Sequence, residues 1–430
     1  MNRTRSLFEI LGPGLLWAGT AVGVSHLVQS TRAGAGYGLT LLWVVVVAML
    51  TKYPAYEAGP RYVAATGRTL LEGYRKQGRW ALWLFLAMTV ATMAIVEAAV
   101  TIVTAGMASA LVTPTPLGIG SLPVLGEISP VTEWSALLLA LCSALLAVGR
   151  FKVLETVMKV MMVVLSVSTL AAVAVLIPAT DPSRLTLMPP LPELDPTNIA
   201  FLVALIGWMP APFDTSVWHS QWSVAKAEGA PVDWDEARLD FHVGYVGTGM
   251  LAVCFLFLGA AVLHDSGHEI PASAPAFAAL LVDVYATALG DWARPVILAA
   301  AFTTMISTTL SVSDGFPRAL QGAVSRLRGP ETPGEDVDRT LYFAFLGLLM
   351  LGGLAIIHAF TANLKALVDV ATTVSFVVAP ILAVMNLVAI TSDDVPAELK
   401  PPRWLLYAHY GCIAAMSVFS VGFLLWRFVL

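Results

Sequence analysis

Apolar runs of roughly twenty residues recur along the whole chain, near 10–34, 38–64, 79–110, 133–149, 153–178, 198–222, 238–263, 290–320, 339–359, 363–390 and 404–428. A helix needs about that length to cross the hydrocarbon core of a bilayer, so the pattern predicts an all-α polytopic membrane protein with about eleven transmembrane helices. The connectors after the even-numbered runs hold Arg68, Arg75, Lys76, Arg79, Arg150, Lys152, Lys226, Arg326, Arg328, Lys400 and Arg403. On the opposite side, 111–132 and 264–289 contain no Lys or Arg, and the connector between the fifth and sixth runs has only Arg184. Basic loops stay on the cytoplasmic side, which predicts a cytoplasmic N-terminus and an outside C-terminus. Arg3 and Arg5 precede a first run too long for a cleaved leader, so that run is expected to be retained as a span.

Two runs are unlike the rest. The first spans Gly12 to Gly38, and its middle, Gly19 to His26, places two glycines, Ser25 and His26 where a plain anchor would carry leucine and valine. Polar backbone and side chains at that depth are tolerated only where they face protein or a water-filled cavity. The sixth begins with Asp195 as a helix N-cap and Pro196 at the first helical position, then carries Pro210, Pro212 and Asp214 at mid-depth. Proline removes a backbone donor and clashes with the preceding turn, so this helix is expected to unwind there. Two interrupted helices five spans apart mark an inverted repeat with its binding site between the breaks. The chain therefore reads as a single transmembrane domain, 1–430, with one repeat over about 10–178, a second over about 198–390 and an extra helix at 404–428.

Composition narrows the class without changing it. The 430 residues are 57% hydrophobic and 12% charged, with a mean hydropathy of +0.78, and a soluble protein would carry about twice that charge fraction. Cys142, Cys254 and Cys412 all fall inside apolar runs with no paired spacing, which suggests neither a disulfide framework nor a zinc knuckle.

The chain resembles the Nramp divalent-metal transporters of the LeuT-like superfamily. The residues that carry the likeness are Gly12-Pro13-Gly14, the run from Arg32 to Gly38, Leu42-Trp43-Val44-Val45-Val46, Ala65-Thr66-Gly67, Lys152-Val153-Leu154-Glu155 and Met209-Pro210. The resemblance implies a LeuT-like bundle alternating between outward-open and inward-open states, importing a divalent metal together with a proton. It also implies a metal site built from Asp-Pro-Gly-Asn in the first break and Met-Pro-His-Asn in the second. Here those motifs read Gly23-Val24-Ser25-His26 and Met209-Pro210-Ala211-Pro212, so only Met209 stands where the family has a ligand. His219-Ser220 matches a His-Ser pair that the family carries slightly earlier, which points to an insertion near Phe213 and Asp214.

The candidate substrate-binding residues are therefore Gly23, Ser25, His26, Met209, Ala211 and Asp214. Imidazole, thioether and carboxylate from His26, Met209 and Asp214 would suit a softer divalent ion, whereas a thioether weighs against Mg²⁺ or Ca²⁺. If Asp214 lies too far toward the cytoplasm, the site loses its carboxylate and a small organic solute becomes the better substrate. His26 is also a candidate proton carrier, since an unperturbed imidazole titrates at about 6.5. Glu97 in the third span and His219 are candidate relays, and Asp369 is a relay or gating residue. Lys52, Glu57 and Arg61 are read as one structural or gating network at the inner end of the second span, with Glu57 and Arg61 paired at a four-residue step. Asp240 with His242 and Asp314 with Arg318 are read the same way. The stretch from His264 to Glu269 pairs two histidines four apart, a spacing that polar loops also produce by chance.

The expected function is proton-coupled secondary transport by alternating access, of a divalent metal through a remodelled site or, alternatively, of a small organic solute. No resident cofactor is expected, only a transported ion and a coupling proton. An intramembrane enzyme is disfavoured, because the chain has no His-Glu-x-x-His helix, nucleophile elbow or phosphate loop. A channel would show a repeated filter or a ring of like charge. Dispersed basic residues give no support to nucleic-acid binding. The expected partners are the lipid bilayer and the small solute or metal ion, with the protein a monomer in a bacterial inner membrane.

Overall fold

The computed structural model describes residues 10–112, 115–123, 126–148, 151–180, 195–264, 270–331, 337–360 and 363–428. Arg3, Arg5, Arg150, Arg184 and residues 265–269 of the paired-histidine stretch lie outside them, as does the side chain of Lys152. The first run folds as α1 (Pro13–Ala21), a π-helical segment (Ser25–Ser30) and α2 (Thr31–Tyr37). Proline at its first position suits the start of α1, where the missing N–H would be unpaired anyway. Two further donors there, Gly12 N and Gly14 N, go to the buried Asp240 carboxylate at 2.8 and 2.6 Å. That carboxylate caps α1 from another helix and opposes the positive end of its dipole. At the other end α2 stops at Gly38, whose φ of +57° favours glycine.

The second run is α3 (Leu42–Thr66), ended by Gly67 in the left-handed region. A short α4 (Leu70–Gln77) buries Leu70, Leu71 and Tyr74 and pairs its buried Glu72 with Arg75 at 2.7 Å. Then follow α5 (Arg79–Leu111), a two-stranded hairpin, β1 (Ser121–Leu122) with β2 (Gly126–Glu127), α6 (Pro130–Val148) and α7 (Phe151–Leu176). The sixth run is split into α8 (Pro196–Gly207) and α9 (Thr215–Ala227). Asp195 caps α8 as expected, accepting from Asn198 N at 2.8 Å. The remainder is α10 (Trp234–Leu263), α11 (Ala274–Leu289), α12 (Arg294–Arg328), α13 (Arg339–Phe360), α14 (Leu364–Thr391) and α15 (Arg403–Phe428).

Among the described residues, seven helices are individually long and apolar enough to span a membrane: α5, α6, α10, α12, α13, α14 and α15. The other predicted spans are α3, which carries three buried charged residues, α7 and the two broken runs. The stretch 264–289, read as a plain outer connector, instead contains α11. Its sixteen residues reach only about 24 Å, short of the ~30 Å core, while Phe277, Leu281, Val284 and Tyr285 recur at helical spacing and are buried. It is an outer helix laid on the bundle rather than a span.

The first broken run packs its backbone against α10 at both ends. A Cβ on Gly34 would sit 1.9 Å from Leu256 O, and one on Gly259 would sit 2.3 Å from Thr31 O. On the inner side, Gly14 meets Asp240 O and Gly244 meets Gly14 O at comparable distances. Small residues let helices approach this closely where lipid offers no hydrophobic drive to pack them. The glycine run after the first break thus divides its work: Gly34 makes the close approach, Gly38 the turn, and a Cβ on Gly36 would meet nothing within 4 Å.

Gly34→Ala is expected to lower the melting temperature of the detergent-solubilised protein by an amount matching an overpacking cost of about 1–3 kcal/mol. Gly36→Ala is expected to leave it unchanged. Equal melting of both variants would show that the contact between α2 and α10 does not stabilise the fold.

Candidate functional site

The two breaks meet in the core of the bundle, and each leaves backbone groups that an apolar surrounding cannot solvate. α1 ends at Ala21, and Val22 and Gly23 turn the chain before the π-helical segment. α8 ends at Gly207, and residues 208–214 are non-helical, with Met209–Pro210 in cis. Ser25 joins the two: its hydroxyl lies 2.7 Å from Ala21 O and 3.3 Å from Pro210 O. Thr308 of α12 donates to Gly19 O at 3.0 Å, and the Trp17 indole of α1 donates to Thr215 Oγ1 at 2.9 Å. Tyr56 of α3 donates to Ala211 O.

Between the breaks lies a cavity lined by Thr20, Ser25, Thr215 and Thr308, by Trp208 and Trp218, and by small apolar residues including Val96 and Val100. It holds about 20 Å³, room for a single water. Among the described residues no carboxylate lines it. On the outer side Arg32 bonds Asp369 through both guanidinium nitrogens, at 2.7 and 3.1 Å, and also reaches Gln29. The Arg32 side chain is 11% exposed and that of Asp369 36%. Tyr37 stacks on Phe201 and donates to Asn198, completing the outer closure. On the inner side Trp17, Tyr56, Phe241 and Tyr245 pack ring against ring, and Phe213 stacks on Tyr56 at 4.9 Å.

His26 is fully buried and both ring nitrogens are engaged. Nε2 lies 2.9 Å from Thr248 O, and a carbonyl only accepts, so Nε2 carries the proton. Nδ1 then offers its lone pair to the Ser25 hydroxyl at 2.7 Å, and a metal would have to displace that bond. At Gly23, where the family carries a ligand carboxylate, a Cβ would sit 2.8 Å from the Thr308 methyl. The space a carboxylate would need is thus filled by α12. Met209 and Ala211 are buried within the second break. Asp214 is buried at the start of α9, makes no side-chain cap there, and is absent from the cavity wall. Among the described residues no three His, Cys, Asp or Glu side chains converge as a metal cluster.

Glu97 lies about 60–100° round the helix from Val96 and Val100 and is not among the residues that line the cavity. Its Oε1 accepts from Ser313 at 3.0 Å and Thr101 at 3.2 Å, and its side chain lies on Gly353 of α13. His219 lies one turn below Thr215, edge-on to Phe241, with neither ring nitrogen hydrogen-bonded among the described residues. Glu57 and Arg61 pair at 2.5 Å, Asp314 and Arg318 at 2.8 Å, and His242 shares a 2.7 Å bond with Tyr53. His264 contacts Ala35 O at 3.1 Å, while its partner in the paired-histidine stretch lies outside the described residues.

Lys52 departs from the network assigned to it with Glu57 and Arg61. The five-residue step to Glu57 turns it about 140° around α3, onto the side facing the second break. There its ammonium donates to Ile206 O and Gly207 O. The wall residues Thr20, Thr215, Thr308, Trp208 and Trp218 were also not singled out from sequence. A lysine at mid-span was the available signal, because such a charge is expensive without a partner.

A family model described as "Natural resistance-associated macrophage protein-like" matches residues 14–426. The chain is 34% identical over 386 residues to protein PM0681 of Pasteurella multocida, covering 89% of this chain and 85% of that one. Among solved structures it resembles the manganese transporter of Eremococcus coleocola, with TM-score 0.72 and 14% identity over 98% of this chain and 87% of the other. It also resembles MhsT, solved with L-phenylalanine, with TM-score 0.62 and 16% identity over 99% of both chains. These likenesses establish a LeuT-like fold.

The outer ion pair yields a direct test. Arg32→Ala is expected to raise severalfold the rate at which a cysteine placed at Thr372, one turn below Asp369, reacts with a membrane-impermeant maleimide from outside. A part-buried bidentate pair is worth on the order of 1 kcal/mol, which sets that scale. An unchanged rate would show that the pair does not hold the outer side closed.

Proposed function

The chain belongs to the Nramp family, and from that premise we propose that it is a secondary active transporter whose central site takes a small organic solute in place of a divalent metal. One observation carries the reading: the space between the two breaks is walled by hydroxyls, indoles and small apolar side chains, with no carboxylate. A dication bound there would keep too few oxygen or nitrogen ligands to replace its water. Hydroxyl groups and aromatic faces suit an organic molecule, which they orient with few hydrogen bonds while burying its apolar surface. The commitment of His26 to Thr248 O and Ser25, and the filling of the Gly23 position by Thr308, support the same conclusion.

The transport cycle is alternating access. The small central cavity lies between the Arg32–Asp369 pair on one side and the aromatic packing on the other, which would be the two gates such a cycle opens in turn. Proton coupling is part of the proposal, with Glu97 and His219 as buried titratable groups that lie off the cavity wall. The placement of basic loops supports a cytoplasmic N-terminus in a bacterial inner membrane.

A second reading, a divalent metal, is favoured by the buried Asp214 beside the break that holds Met209, with His26 in the other. The two readings separate by titration. Purified protein is expected to give no saturable heat with Mn²⁺, Zn²⁺ or Mg²⁺, and to be stabilised against melting by a member of a panel of small metabolites. Thr215→Val and Trp208→Ala are expected to weaken that stabilisation about tenfold, the loss of roughly 1.4 kcal/mol of contact each. Saturable Mn²⁺ binding abolished by His26→Ala or Asp214→Asn would replace the solute with the metal.

A further inference from the structure

Lys52 is a fully buried lysine, and none of the ion pairs among the described residues includes it. Its ammonium instead donates to Ile206 O and, at 3.2 Å, to Gly207 O, and lies 5.5 Å from the centre of the Phe213 ring. Those carbonyls are the last two of α8, so the ammonium caps the negative end of a half-helix that stops at mid-membrane. Carbonyls released by an unwound helix, and the C-terminal end of a half-helix, are where a broken-helix transporter coordinates a mobile cation. Phe213, from the linker that follows, adds the face of an aromatic ring, which also attracts a cation.

We propose that Lys52 is a tethered cation that permanently fills a cation site at the end of α8, and so determines that the central site works without a mobile metal or alkali ion there. Two features of the molecule fit this assignment. The ammonium reaches its carbonyls from α3, a helix that belongs to neither break, so the charge arrives independently of whatever the central cavity holds. Its ammonium lies on Gly207 O, one residue before the wall residue Trp208, and the positive N-terminal end of α9 begins at the wall residue Thr215. A dication entering between the breaks would meet both in a medium of low dielectric, where repulsion is weakly screened. The proposal deepens the organic-solute reading and rests on it for its functional meaning, but its structural content, a cation site already filled, stands on the contacts of Lys52 alone.

The test uses full-length protein in detergent and no transported solute, so its failure is distinct from failure of the solute reading. Melting temperature is measured in chloride salts of Na⁺, K⁺, methylammonium and N-methylglucamine at matched ionic strength. Wild type is expected to melt identically in all four. Lys52→Ala opens the place of the ammonium and is expected to melt lower in N-methylglucamine, which is too large to enter, and to recover at least half of the loss, saturably, in a small cation. Lys52→Met, which keeps the length of the stem and leaves no space, is expected to lose stability without recovery. Lys52→Gln, which keeps a donor for the two carbonyls but no charge, runs in parallel in case the alanine variant does not fold, with the same cation dependence expected at smaller extent. A purely structural lysine would give variants equally destabilised in every salt, and that result would overturn the proposal. Saturable stabilisation of wild type by Na⁺ or K⁺ would also overturn it, since the site would then not be filled.

Discussion

The structure depends on one constraint: two helices stop halfway through a medium that offers no water to the backbone groups they release. An unpaired carbonyl or N–H there costs several kcal/mol, so each break survives only where other elements supply partners. Those partners come from every side of the core. Thr308 of α12 serves Gly19, Tyr56 serves Ala211 and Lys52 serves the end of α8, while the one hydroxyl proton of Ser25 is shared among Ala21 O, Pro210 O and the His26 ring. Side chains committed in this way are unavailable to a substrate, which is why the cavity presents so few free polar groups. The binding surface is what remains after the backbone has been satisfied.

The same logic explains how charged residues persist in the inner half of the bundle. Glu57 with Arg61, and Asp314 with Arg318, are each a four-residue step on one helix, so both charges are positioned before tertiary packing begins. Further donors complete the acids: Asp314 also accepts from Tyr342 and Trp222, and Arg61 gives its remaining nitrogen to Leu399 O. A buried pair completed in this way avoids the penalty that leaving one charge unpaired would bring. Asp240 is the instructive contrast, since it is held by the donors of an unformed helix turn rather than by a base alone. Each charge thus fixes a helix end or a helix contact at the same end of the bundle.

Much of this was legible in the order of residues. Pro210 and Pro212 predicted the second break because proline cannot continue a helix, and Asp195 before Pro196 predicted the start of α8. The alternation of basic connectors counted the spans without reference to any single motif. What was not legible is what depends on contacts between distant residues. Thr308 meets Gly19 across 289 positions and Arg32 meets Asp369 across 337, and neither pairing leaves a periodic trace. Lys52 was misassigned for a different reason: proximity along α3 suggested a shared network with Glu57, whereas direction around the helix separates them. The outer helix α11 was read as a connector because a sixteen-residue apolar segment is too short to cross and too weakly bounded to be distinguished from loop.

The two closures differ in kind, and that difference bears on how the cycle runs. Outside, the barrier is an ion pair at the edge of solvent, joined by one aromatic stack; water competes for it, so opening exposes charges that hydrate well. Inside, the barrier is a cluster of rings packed on α1, α3 and α10, and separating them exposes apolar surface with no compensating hydration. The inner barrier is anchored further, because α1 is capped by Asp240 and held backbone to backbone against α10 by Gly14 and Gly244. Opening inward therefore requires α1 to leave its cap or α10 to move with it. The outer half of the same broken helix is held by Gly34 and Gly259 in the same way, so α10 and the first broken run form one body over most of their length. Movement is then most economical between that body and the second broken run, across an interface that includes the Trp17–Thr215 hydrogen bond and the approach of Ser25 to Pro210 O.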